Sequence, residues 1–515
     1  MSNFSLQRGL LGTVVACTFG GAFVANASAA SPVRVPDNPL AAGSSACQQQ
    51  VAQQTALGSQ NFPDAEVEPY IAVDPLNPNH LITSVQQDRW NDGGANGLTN
   101  AVSTDGGATW SLAGTQPAFT ICEGASQGSA GFFSRATDPW VSFSADGKIA
   151  YSISDSFNAN GPGFGGASSI IISRSTNGGV TWQAPVTAQL DRSFTVLNDK
   201  ESVTADPVKT TNAYAVWDRL VSPSSNANPS AFNVSPAFRG PAMFSSTSDG
   251  GVSWSPGRMI FDPGQKNQTI GNQIVVPKAG PAAGQLIDGF DLLLNKGGKG
   301  HNPRSSESVA IIRSSDGGTT WSGPTIVAQQ QVGSVSINGQ LLRTSDELPE
   351  FAAGPEGNLY AVWQDARFSP NGASKIAFSM STDGGATWTS PIRVDQSPGN
   401  SPAFIPQITA RANGTVAVQY YDLENATAVS PDLTDQFLVT CSSSCTNPTS
   451  WSAETRLSTS GSFNILTAPA TTSGAGFLGD YDGLVPTGSS FSSAFVMAKP
   501  IATGGITDLF SNRGP

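Results

Sequence analysis

The sequence predicts an all-β fold assembled from repeated small antiparallel sheets. An eight-residue pattern, Ser/Thr-x-Asp/Asn-Gly-Gly-x-Ser/Thr-Trp, occurs five times, and a degenerate sixth copy ends at Trp451. The five complete copies end at Trp110, Trp182, Trp254, Trp321 and Trp388. Their spacing of 67 to 72 residues marks a repeat architecture, because each small sheet cannot bury its faces alone. Four strands in each repeat predict the blade of a β-propeller.

Each copy of the pattern predicts a tight hairpin turn. The Asp-Gly-Gly segment supplies residues that accept positive φ, and the flanking hydroxyls can bond the amides of the turn. The tryptophan is predicted to fill the space between neighbouring sheets. Asn177 takes the place of the aspartate in the second copy. Because this substitution keeps the turn but loses the charge, the pattern predicts a role in folding and not in catalysis or metal binding.

Seven short extended segments fit the first strands of seven such sheets. They begin near Glu68, Asp138, Lys200, Asn272, Leu348, Ile405 and Gly479. Each precedes a turn and a second apolar strand. The eight-residue patterns, or boxes, then join the third and fourth strands. The last unit has no box and no clear fourth strand, which an early strand within residues 48–60 could supply. The prediction is seven four-stranded blades, with six blades plus a C-terminal extension as the alternative.

The N-terminus resembles an export signal. Arg8 precedes an apolar stretch at residues 9–24, and Ala25-Asn-Ala27 and Ala27-Ser-Ala29 are small-residue cleavage patterns. A lipoprotein box ending at Cys17 is the alternative. Residues 1–30 are therefore predicted to be a secretory signal peptide, residues 31–62 an N-terminal extension that could close the last blade, and residues 63–515 the propeller. The predicted location is secreted, either extracellular or periplasmic.

Charge and cysteine content limit the partners. The 515 residues carry 26 Lys and Arg against 38 Asp and Glu, a net charge of −12, which excludes nucleic acid because its phosphates would be repelled. No stretch after the leader has the ~20 apolar residues of a membrane span. Four cysteines follow the predicted signal peptide and allow three disulfide pairings. The preferred one is Cys47–Cys122 with Cys441–Cys445. The predicted partner is an extracellular glycan or polysaccharide, bound by a monomer without cofactor or metal.

Polar residues recur at the face opposite the boxes. In a four-stranded meander the boxes lie at one end, and the entries to the first strands and the exits from the second strands lie at the other. The first-strand entries carry Glu68, Asp138, Lys200, Glu201, Gln273, Glu350, Gln407, Asp480 and Tyr481. The second-strand exits add Asp88, Arg89, Asp155, Asp218, Arg219, Asp365, Arg367 and Asp422. This convergence predicts a site for a polyhydroxylated or charged ligand, whereas any single Asp-Arg pair could simply tie two loops together.

With its repeated boxes the chain resembles the sialidase-like Asp-box β-propellers. The segment Gln86-Gln-Asp-Arg-Trp-Asn-Asp92 is similar to the family segment that carries an arginine and an acid/base aspartate, here Arg89 and Asp92. Lys200-Glu-Ser-Val and Ala215-Val-Trp-Asp-Arg219 are similar to the segments with a glutamate and a carboxylate-binding arginine, here Glu201 and Arg219.

Two further segments extend the resemblance. Arg367 closes Ala361-Val-Trp-Gln-Asp-Ala-Arg and is the candidate for a third arginine. Gly479-Asp-Tyr-Asp-Gly-Leu484 resembles the segment with the nucleophilic tyrosine, here Tyr481. The resemblance implies an exo-acting glycosidase in which arginines grip a substrate carboxylate, Asp92 is the acid/base, and Glu201 assists ionisation of Tyr481.

Two departures from the family pattern predict a changed ligand. An Arg-Ile-Pro segment is absent where Glu68-Pro-Tyr-Ile stands, and Lys499 ends the last second strand where a late glutamate is expected. Because both members of one supporting pair are missing, ordinary sialosides are predicted to be poor substrates.

Asp138, Glu350 and His301 complete the predicted substrate-binding set. His301 lies in the glycine-rich segment Lys296–Arg304, which could surround an anion. This segment suggests a first alternative, a polysaccharide lyase in which Arg or Lys neutralises a uronate carboxylate and His301 or Tyr481 removes the α-proton. The second alternative is a non-catalytic propeller that binds carbohydrate or protein.

Overall fold

The computed structural model describes residues 30–161, 164–223, 238–295, 306–345, 348–500 and 506–514. Within these ranges the chain forms one 12-residue α-helix, three short 3₁₀ helices and many antiparallel strands. The predicted all-β class is therefore confirmed. The 3₁₀ helices span Ala366–Phe368, Pro448–Ser450 and Ile465–Thr467. None of the described helices is long and apolar enough to cross a membrane.

The N-terminal half of the described chain forms three meanders after a short strand and a helix. These first elements are β1 (Val33–Arg34) and α1 (Ser45–Ala56). The first meander contains β2 (Glu66–Asp74), β3 (Asn77–Arg89), β4 (Ala95–Ser103) and β5 (Ser111–Leu112). The second contains β6 (Arg135–Phe143), β7 (Ala150–Ala159), β8 (Phe164–Ser175) and β9 (Val186–Asp191). The third contains β10 (Val196–Ala205), β11 (Ala213–Val221), β12 (Ala242–Thr247) and β13 (Arg258–Phe261). One bridge, Ala95 to Ala136, joins the first two meanders into a continuous sheet.

The C-terminal half repeats the arrangement. The fourth meander contains β14 (Gln268–Val275), β15 (Leu286–Leu294), β16 (Ser306–Ser314) and β17 (Thr325–Gln329), and a small hairpin of β18 (Ser336–Ile337) and β19 (Gln340–Leu341) follows it. The fifth contains β20 (Glu350–Ala353), β21 (Leu359–Asp365), β22 (Lys375–Ser381) and β23 (Ile392–Arg393). The sixth contains β24 (Ala403–Ala410), β25 (Val416–Asp422), β26 (Leu433–Cys441), β27 (Thr455–Arg456) and β28 (Phe463–Asn464).

The last sheet joins the two ends of the described chain. It contains β29 (Gly483–Thr487), β30 (Ser490–Lys499) and β31 (Ile506–Gly514), and β1 pairs with β31 as its fourth strand. The sequence predicted this closing strand within residues 48–60, and that position is wrong because Ser45–Ala56 is helix α1, whose first turn is capped by Ser44. The alternating apolar residues needed for a strand are absent there, and polar residues such as Gln48 and Gln50 predominate.

The first strands of the six meanders and of the last sheet pack side by side. In chain order β2 contacts β6, β6 contacts β10, β10 contacts β14, β14 contacts β20, β20 contacts β24 and β24 contacts β29. Strand β29 also contacts β2. Buried apolar side chains between consecutive sheets form the core, and the aromatic plugs belong to it: Trp110, Trp182, Trp254 and Trp451 are buried, whereas Trp321 and Trp388 are half-buried.

The boxes form the predicted turns. In the first box the carboxylate of Asp105 accepts hydrogen bonds from the hydroxyl of Ser103 at 2.8 Å, the amide of Thr109 at 2.8 Å and the hydroxyl of Thr109 at 2.6 Å. Asn177 reproduces the first two bonds and donates the third through Nδ2 to Thr181 at 2.9 Å. The two turn glycines have φ near +74° and +90° in the first box, which favours residues without Cβ.

Both predicted disulfides are present. Cys47 in α1 is bonded to Cys122, and Cys441 is bonded to Cys445 in the degenerate sixth box. The first bond attaches the N-terminal segment to the loop between the first two meanders.

Candidate functional site

A β-bulge interrupts the first strand of five sheets at the end opposite the boxes. Pairing between the first and second strands skips two residues in β2, β6, β10, β14 and β24. The first skipped residue in each is Glu68, Asp138, Lys200, Gly271 or Ile405, and its φ lies between +51° and +72°. Such backbone is unfavourable for residues with a Cβ and recurs at functional sites, where a bulge re-aims a side chain.

Three of these bulge residues meet in one buried charge cluster. The ammonium of Lys200 lies 2.6 Å from Oδ1 of Asp138, 2.8 Å from Oδ2 of Asp480 and 3.5 Å from Oε1 of Glu68. Burial by itself would lower the pKa of Lys200, but these surrounding carboxylates raise it well above its ordinary value. Lys200 is therefore a fixed cation at the centre of the cluster.

Asp480 and Glu68 differ in protonation although they share this cation. Arg343 binds Asp480 through Nη2 at 2.5 Å and Nε at 3.0 Å. Burial opposes ionisation of Asp480, but Arg343 and Lys200 outweigh it and hold the pKa well below its usual range. Burial raises the pKa of Glu68 to about 8, against the attraction of Lys200. Glu68 therefore carries a proton at neutral pH, whereas Asp480 is a carboxylate.

A cavity of about 260 Å³ opens beside the cluster. Its polar and charged lining consists of Glu68, Arg89, Asn91, Asp92, Arg135, Thr137, Asp138, Asp155, Asp199, Lys200, Arg343, Thr472, Ser473 and Asp480. Phe157 and Phe164 supply aromatic surface. The cavity therefore combines cations, carboxyl groups and apolar surface, as small-molecule sites commonly do.

Asp199 and Asp155, two further acids in the cavity, have raised pKa values. Burial, followed by repulsion from Asp138, raises the pKa of Asp199 to about 7, although Lys200 opposes the shift. Burial and the negative charges of Asp199 and Asp138 raise the pKa of Asp155 well above its ordinary value. Oδ2 of Asp199 and Oδ1 of Asp155 are buried without a hydrogen-bond partner among the described residues. Asp199 can therefore donate a proton near neutral pH.

Two arginines at the cavity have different surroundings. Arg135 is neutralised by Asp92, with which it pairs at 2.7 Å; it also donates to the carbonyl of Gly93 at 2.7 Å and stacks on Trp90, although its buried Nε has no partner among the described residues. Arg89 donates to Oε1 of Gln86 at 2.7 Å and lies 4.6 Å from the ring centroid of Phe477, but it forms no ion pair within the described chain. Its buried Nε has no partner there. Arg89 is thus the cation that is available for an anionic ligand.

Of the residues predicted to have a catalytic or substrate-binding role, the structure brings three to the cavity: Arg89, Asp92 and Asp138. Four more of the polar residues predicted to converge on that face also line it: Glu68, Asp155, Lys200 and Asp480. Asp92 is held at both oxygens, by Arg135 and by the hydroxyl of Ser59 at 2.7 Å. This double contact suits a positioning role.

Tyr481 and Glu201 lie outside the cavity lining. The hydroxyl of Tyr481 donates to the carbonyl of Pro139 at 3.0 Å, and its ring packs against Trp140. Glu201 accepts from the amide of Asp155, and no hydrogen bond joins it to Tyr481. Burial and the negative charges of Asp138, Glu68, Glu201 and Asp480 raise the pKa of Tyr481 well above its ordinary value, so this environment disfavours a phenolate.

The remaining predicted residues are placed elsewhere. Arg219 pairs with Asp191 at 2.5 Å and Arg367 pairs with Asp365 at 2.8 Å, outside the cavity lining. Glu350 accepts from the amides of Gln273 at 3.1 Å and Gln407 at 3.0 Å. The contacts of Arg219 and Arg367 are therefore of the kind expected if an Asp-Arg pair only holds loops together, which was the alternative to a binding role. His301 lies outside the described residues.

Asp88, at the exit of β3, shows how such a polar residue can serve the fold. It accepts from the amides of Leu40 at 2.8 Å, Ala41 at 2.5 Å and Asp64 at 2.7 Å. This aspartate holds the N-terminal segment against the first meander.

Sequence reasoning missed Arg343, Asp199 and Arg135. Arg343 follows the small β18–β19 hairpin, which has no counterpart in the other repeats, so the periodicity contained no signal for it. Asp199 stands next to Lys200 at a first-strand entry, where the rule that selected the other polar residues could have found it. Arg135 begins β6 and could have been found by the same rule.

Metal binding at the cluster is limited by Lys200. Oxygens of Glu68, Asp138 and Asp480 lie within 4.8 Å of one another, but the ammonium already pairs with all three carboxyl groups. Two further acidic groups among the described residues have comparable spacing, Asp37 with Asp64 and Asp508, and Asp422 with Glu424 and Glu454. The first of these is bridged by Arg34 and Lys499.

The chain contains a BNR/Asp-box repeat: the model of that family matches residues 101–112, which confirms the resemblance inferred from the boxes. No curated protein matches the sequence. Among solved structures, the chain is similar to a Hadza microbial sialidase, with 17% identity, coverage of 69% of this chain and 63% of that chain, and a TM-score of 0.43. It is similar to an α-L-arabinofuranosidase from Fusarium graminearum, with 11% identity, coverage of 94% and 98%, and a TM-score of 0.44. It is also similar to an ulvan lyase, with 13% identity, coverage of 69% and 76%, and a TM-score of 0.42.

Proposed function

We propose that this protein is a secreted seven-bladed β-propeller that hydrolyses glycosidic bonds in extracellular glycans. Six meanders and a last sheet completed by β1 support a count of seven blades. The contact of β29 with β2 supports a closed ring of first strands. The repeated boxes and the two disulfides are consistent with a repeat domain built for an oxidising compartment.

The observation that carries the proposed chemistry is the pair of Asp199 and Asp138 in one cavity. Asp199 has its pKa raised to about 7 and can hold the proton that a leaving glycosidic oxygen requires. Asp138 is paired with Lys200 at 2.6 Å and presents a carboxylate. Glycosidases use such a pair, one carboxyl group as the acid and the other as nucleophile or base. We assign Asp199 as the general acid and Asp138 as its carboxylate partner.

Arg89 supports an acidic sugar as the substrate. A buried guanidinium without a carboxylate partner can form a charge-assisted bond with a sialic acid or uronate carboxylate. Arg343 lies on the same Phe477 ring at 4.5 Å, but Asp480 already neutralises it. One unpaired arginine makes a weaker grip than the three-arginine set of the resemblance, so sialosides should be poorer substrates than other acidic glycans.

This assignment differs from the mechanism implied by the sialidase resemblance. A tyrosine nucleophile would require Tyr481 to leave the carbonyl of Pro139 and approach Glu201. The two acids that already line the cavity need no such rearrangement. A lyase would require a base within reach of the α-proton of a uronate, and Asp199 in its ionised form above pH ~7 could fill that role.

Turnover of a glycan panel by the mature chain tests the proposal. Asp199→Asn should lower kcat/KM by about 10²–10⁴ on substrates with a poor leaving group, and an activated aryl glycoside should restore much of the rate because it needs no acid. Asp138→Asn should be inactive on both substrates. Asp383→Asn in the fifth box is the matched control and should retain full activity.

The product identifies the reaction. Hydrolysis gives reducing sugar without ultraviolet absorption, and its initial anomer, read by proton NMR, assigns Asp138 as nucleophile on retention or as base on inversion. An unsaturated uronate would identify a lyase instead. Full activity of Asp199→Asn together with loss of activity in Tyr481→Phe would refute the carboxyl pair and favour the tyrosine mechanism.

A further inference from the structure

The sixth box lacks the residues that hold the other turns. In the fifth box, the hydroxyls of Ser381 at 2.8 Å and Thr387 at 2.6 Å both donate to Asp383. In the sixth box Cys441 stands at the end of the third strand where Ser381 stands in the fifth, and the Cys441–Cys445 disulfide spans the turn. Ser443-Ser444-Cys445 follows in place of Asp-Gly-Gly. The turn is thus fixed covalently.

The sixth turn also carries hydroxyl groups that have no protein partner. In the part of the chain that the structure describes, the hydroxyls of Ser442, Ser443 and Thr446 donate to no protein atom. Ser444 between them has φ of +53° although it is not glycine, a conformation that costs energy and recurs at functional sites. The disulfide therefore presents a row of free hydroxyls in a rigid loop, which reduces the entropy lost on binding.

These hydroxyls form one wall of a groove between the fifth and sixth sheets. The groove has a volume of about 590 Å³, and Trp388 and Tyr360 lie on its opposite wall. Trp388 is half-buried, whereas Trp110, Trp182 and Trp254 are buried in the equivalent boxes. The groove therefore exposes part of an aromatic side chain that four of the other boxes, including the degenerate sixth, bury.

The lining is almost uncharged. Of the described residues that line the groove, Glu356 alone carries a charge, and hydroxyl and amide side chains predominate. Another groove on the box face has different chemistry: Asp146 and Lys148 line it, and it contains no Trp, Tyr or Phe ring. Free hydroxyls match the hydroxyls of a sugar, and the apolar face of a sugar ring packs on an indole or phenol. A volume of this size accommodates a small oligosaccharide.

We propose that the groove between the fifth and sixth boxes binds a neutral oligosaccharide segment. It lies at the end of the sheets opposite the Lys200 cluster, because the third strands end at the boxes and the bulges lie at the other end. The groove is thus a second carbohydrate site, separate from the cavity of the charge cluster. Its occupancy does not depend on hydrolysis, so its failure and the failure of the proposed function are distinguishable.

Affinity electrophoresis of the full chain in native gels that contain arabinan, xylan or mixed-linkage β-glucan tests this site, with polygalacturonate as the anionic comparison. Ser443→Phe fills the groove from an exposed loop, and Trp388→Ala removes its aromatic wall. Thr319→Phe, at an exposed position of the fourth box, is the matched control. We expect at least one neutral polysaccharide to retard the unmodified chain and the Thr319→Phe variant equally, and Ser443→Phe and Trp388→Ala to bind it about tenfold more weakly, as expected for one aromatic contact.

Three results would overturn the assignment: no retardation by any of the neutral polysaccharides, retardation by polygalacturonate alone, or equal retardation of Ser443→Phe and Thr319→Phe. Thermal melting of each variant separates loss of binding from loss of folding. Ser443→Phe decides the outcome if Trp388→Ala does not fold.

Discussion

Aspartates occur both in the boxes and in the cavity beside the Lys200 cluster, here called the mouth, but the two environments are opposite. Asp249 in the third box is exposed, and the hydroxyl and amide of Ser253 lower its pKa to about 2, aided by Thr247. Asp199 at the mouth is buried, and burial raises its pKa to about 7. Hydrogen-bond donors and water therefore keep the box carboxylates charged, and these carboxylates stabilise the turns. At the mouth, donors and water are scarce, so the carboxyl group of Asp199 exchanges its proton near neutral pH.

The comparison extends to the backbone. The left-handed positions of the five complete boxes are occupied by glycines, which adopt positive φ at little cost. Three of the five left-handed positions at the first-strand bulges hold charged residues, Glu68, Asp138 and Lys200, and the other two hold Gly271 and Ile405. Charged side chains have been kept at the mouth where glycine would be less strained, which is expected if those side chains are needed for function.

Removal of the central cation should have the largest effect. Lys200→Met leaves Asp138, Asp480 and Glu68 without the ammonium they share, and loss of one partner of a buried ionic group costs about 3–5 kcal/mol. Urea unfolding should show this loss in the free energy of unfolding. Lys148→Met, which removes an exposed cation beside a box-face turn, should leave the unfolding midpoint unchanged. Equal midpoints for the two variants would contradict the cluster.

Removal of the disulfide near the mouth should also cost more stability than removal of the disulfide in the sixth box. Cys47–Cys122 closes a loop with a sequence separation of 75 residues and holds the N-terminal segment beside the mouth, whereas Cys441–Cys445 has a separation of 4. Chain entropy predicts losses of about 4 and about 2 kcal/mol when each pair is replaced by serine. Denaturant unfolding of the two double variants measures both values, and a larger loss for Cys441–Cys445 would contradict the expectation.

The pH dependence of stability should have opposite signs at the two faces. Asp199 keeps its proton in the folded chain up to pH ~7 but loses it near pH 3.8 in the unfolded chain. It therefore lowers stability progressively as the pH rises from about 4 to 7. Asp249, with its pKa of about 2, adds stability that is present above pH ~4 and is lost as the pH falls toward 2.

Melting temperatures recorded from pH 2 to 8 test this contrast. Relative to the unmodified chain, Asp199→Asn should gain stability as the pH rises from 4 to 7. The difference in melting temperature between Asp249→Asn and the unmodified chain should disappear as the pH falls toward 2. Parallel curves for both variants would show that the two environments do not differ as the structure indicates.

The smallest effect is expected for aspartate-to-asparagine changes in a box. Asn177 shows that an asparagine makes three equivalent turn hydrogen bonds. Asp105→Asn should therefore lower the melting temperature at pH 7 only slightly, through loss of the charge, while Asp105→Ala should lower it more because the turn donors also lose their acceptor. Differential scanning fluorimetry suffices to compare the two variants.

The repeat was readable in the sequence because each box is local. Its eight residues bond to one another, so their order alone specifies the turn, and the spacing of the tryptophans set the size of each sheet. The cysteine pairing was also predicted correctly, since few pairings were available. The closing strand was misplaced, because Val33–Arg34 is too short to show alternation and its partner β31 is more than 470 residues away.

The site was less readable, because its members come from separate repeats. First-strand entry selected Asp138, and second-strand exit selected Arg89. First-strand entry also selected Glu350, which binds Gln273 and Gln407 instead of lining the cavity. Arg219 and Arg367 matched family segments in the sequence, but local acids bind both of them. A motif identifies a residue type and does not reveal which carboxylate lies beside it.

The sequence by itself determined the all-β repeat, the turns of the boxes and the face at which polar residues converge, because each depends on neighbours in the chain or on strand alternation. The disulfide pairing could be chosen because four cysteines allow only three pairings. The tertiary structure decided which of those polar residues meet. Lys200 neutralises Asp138 and Asp480 only when three sheets come together, Arg343 joins them from a hairpin outside the repeat, and burial raises the pKa of Asp199 only after the cavity has formed. Protonation and ion pairing depend on distance and on exclusion of water, and neither is written in the order of the residues.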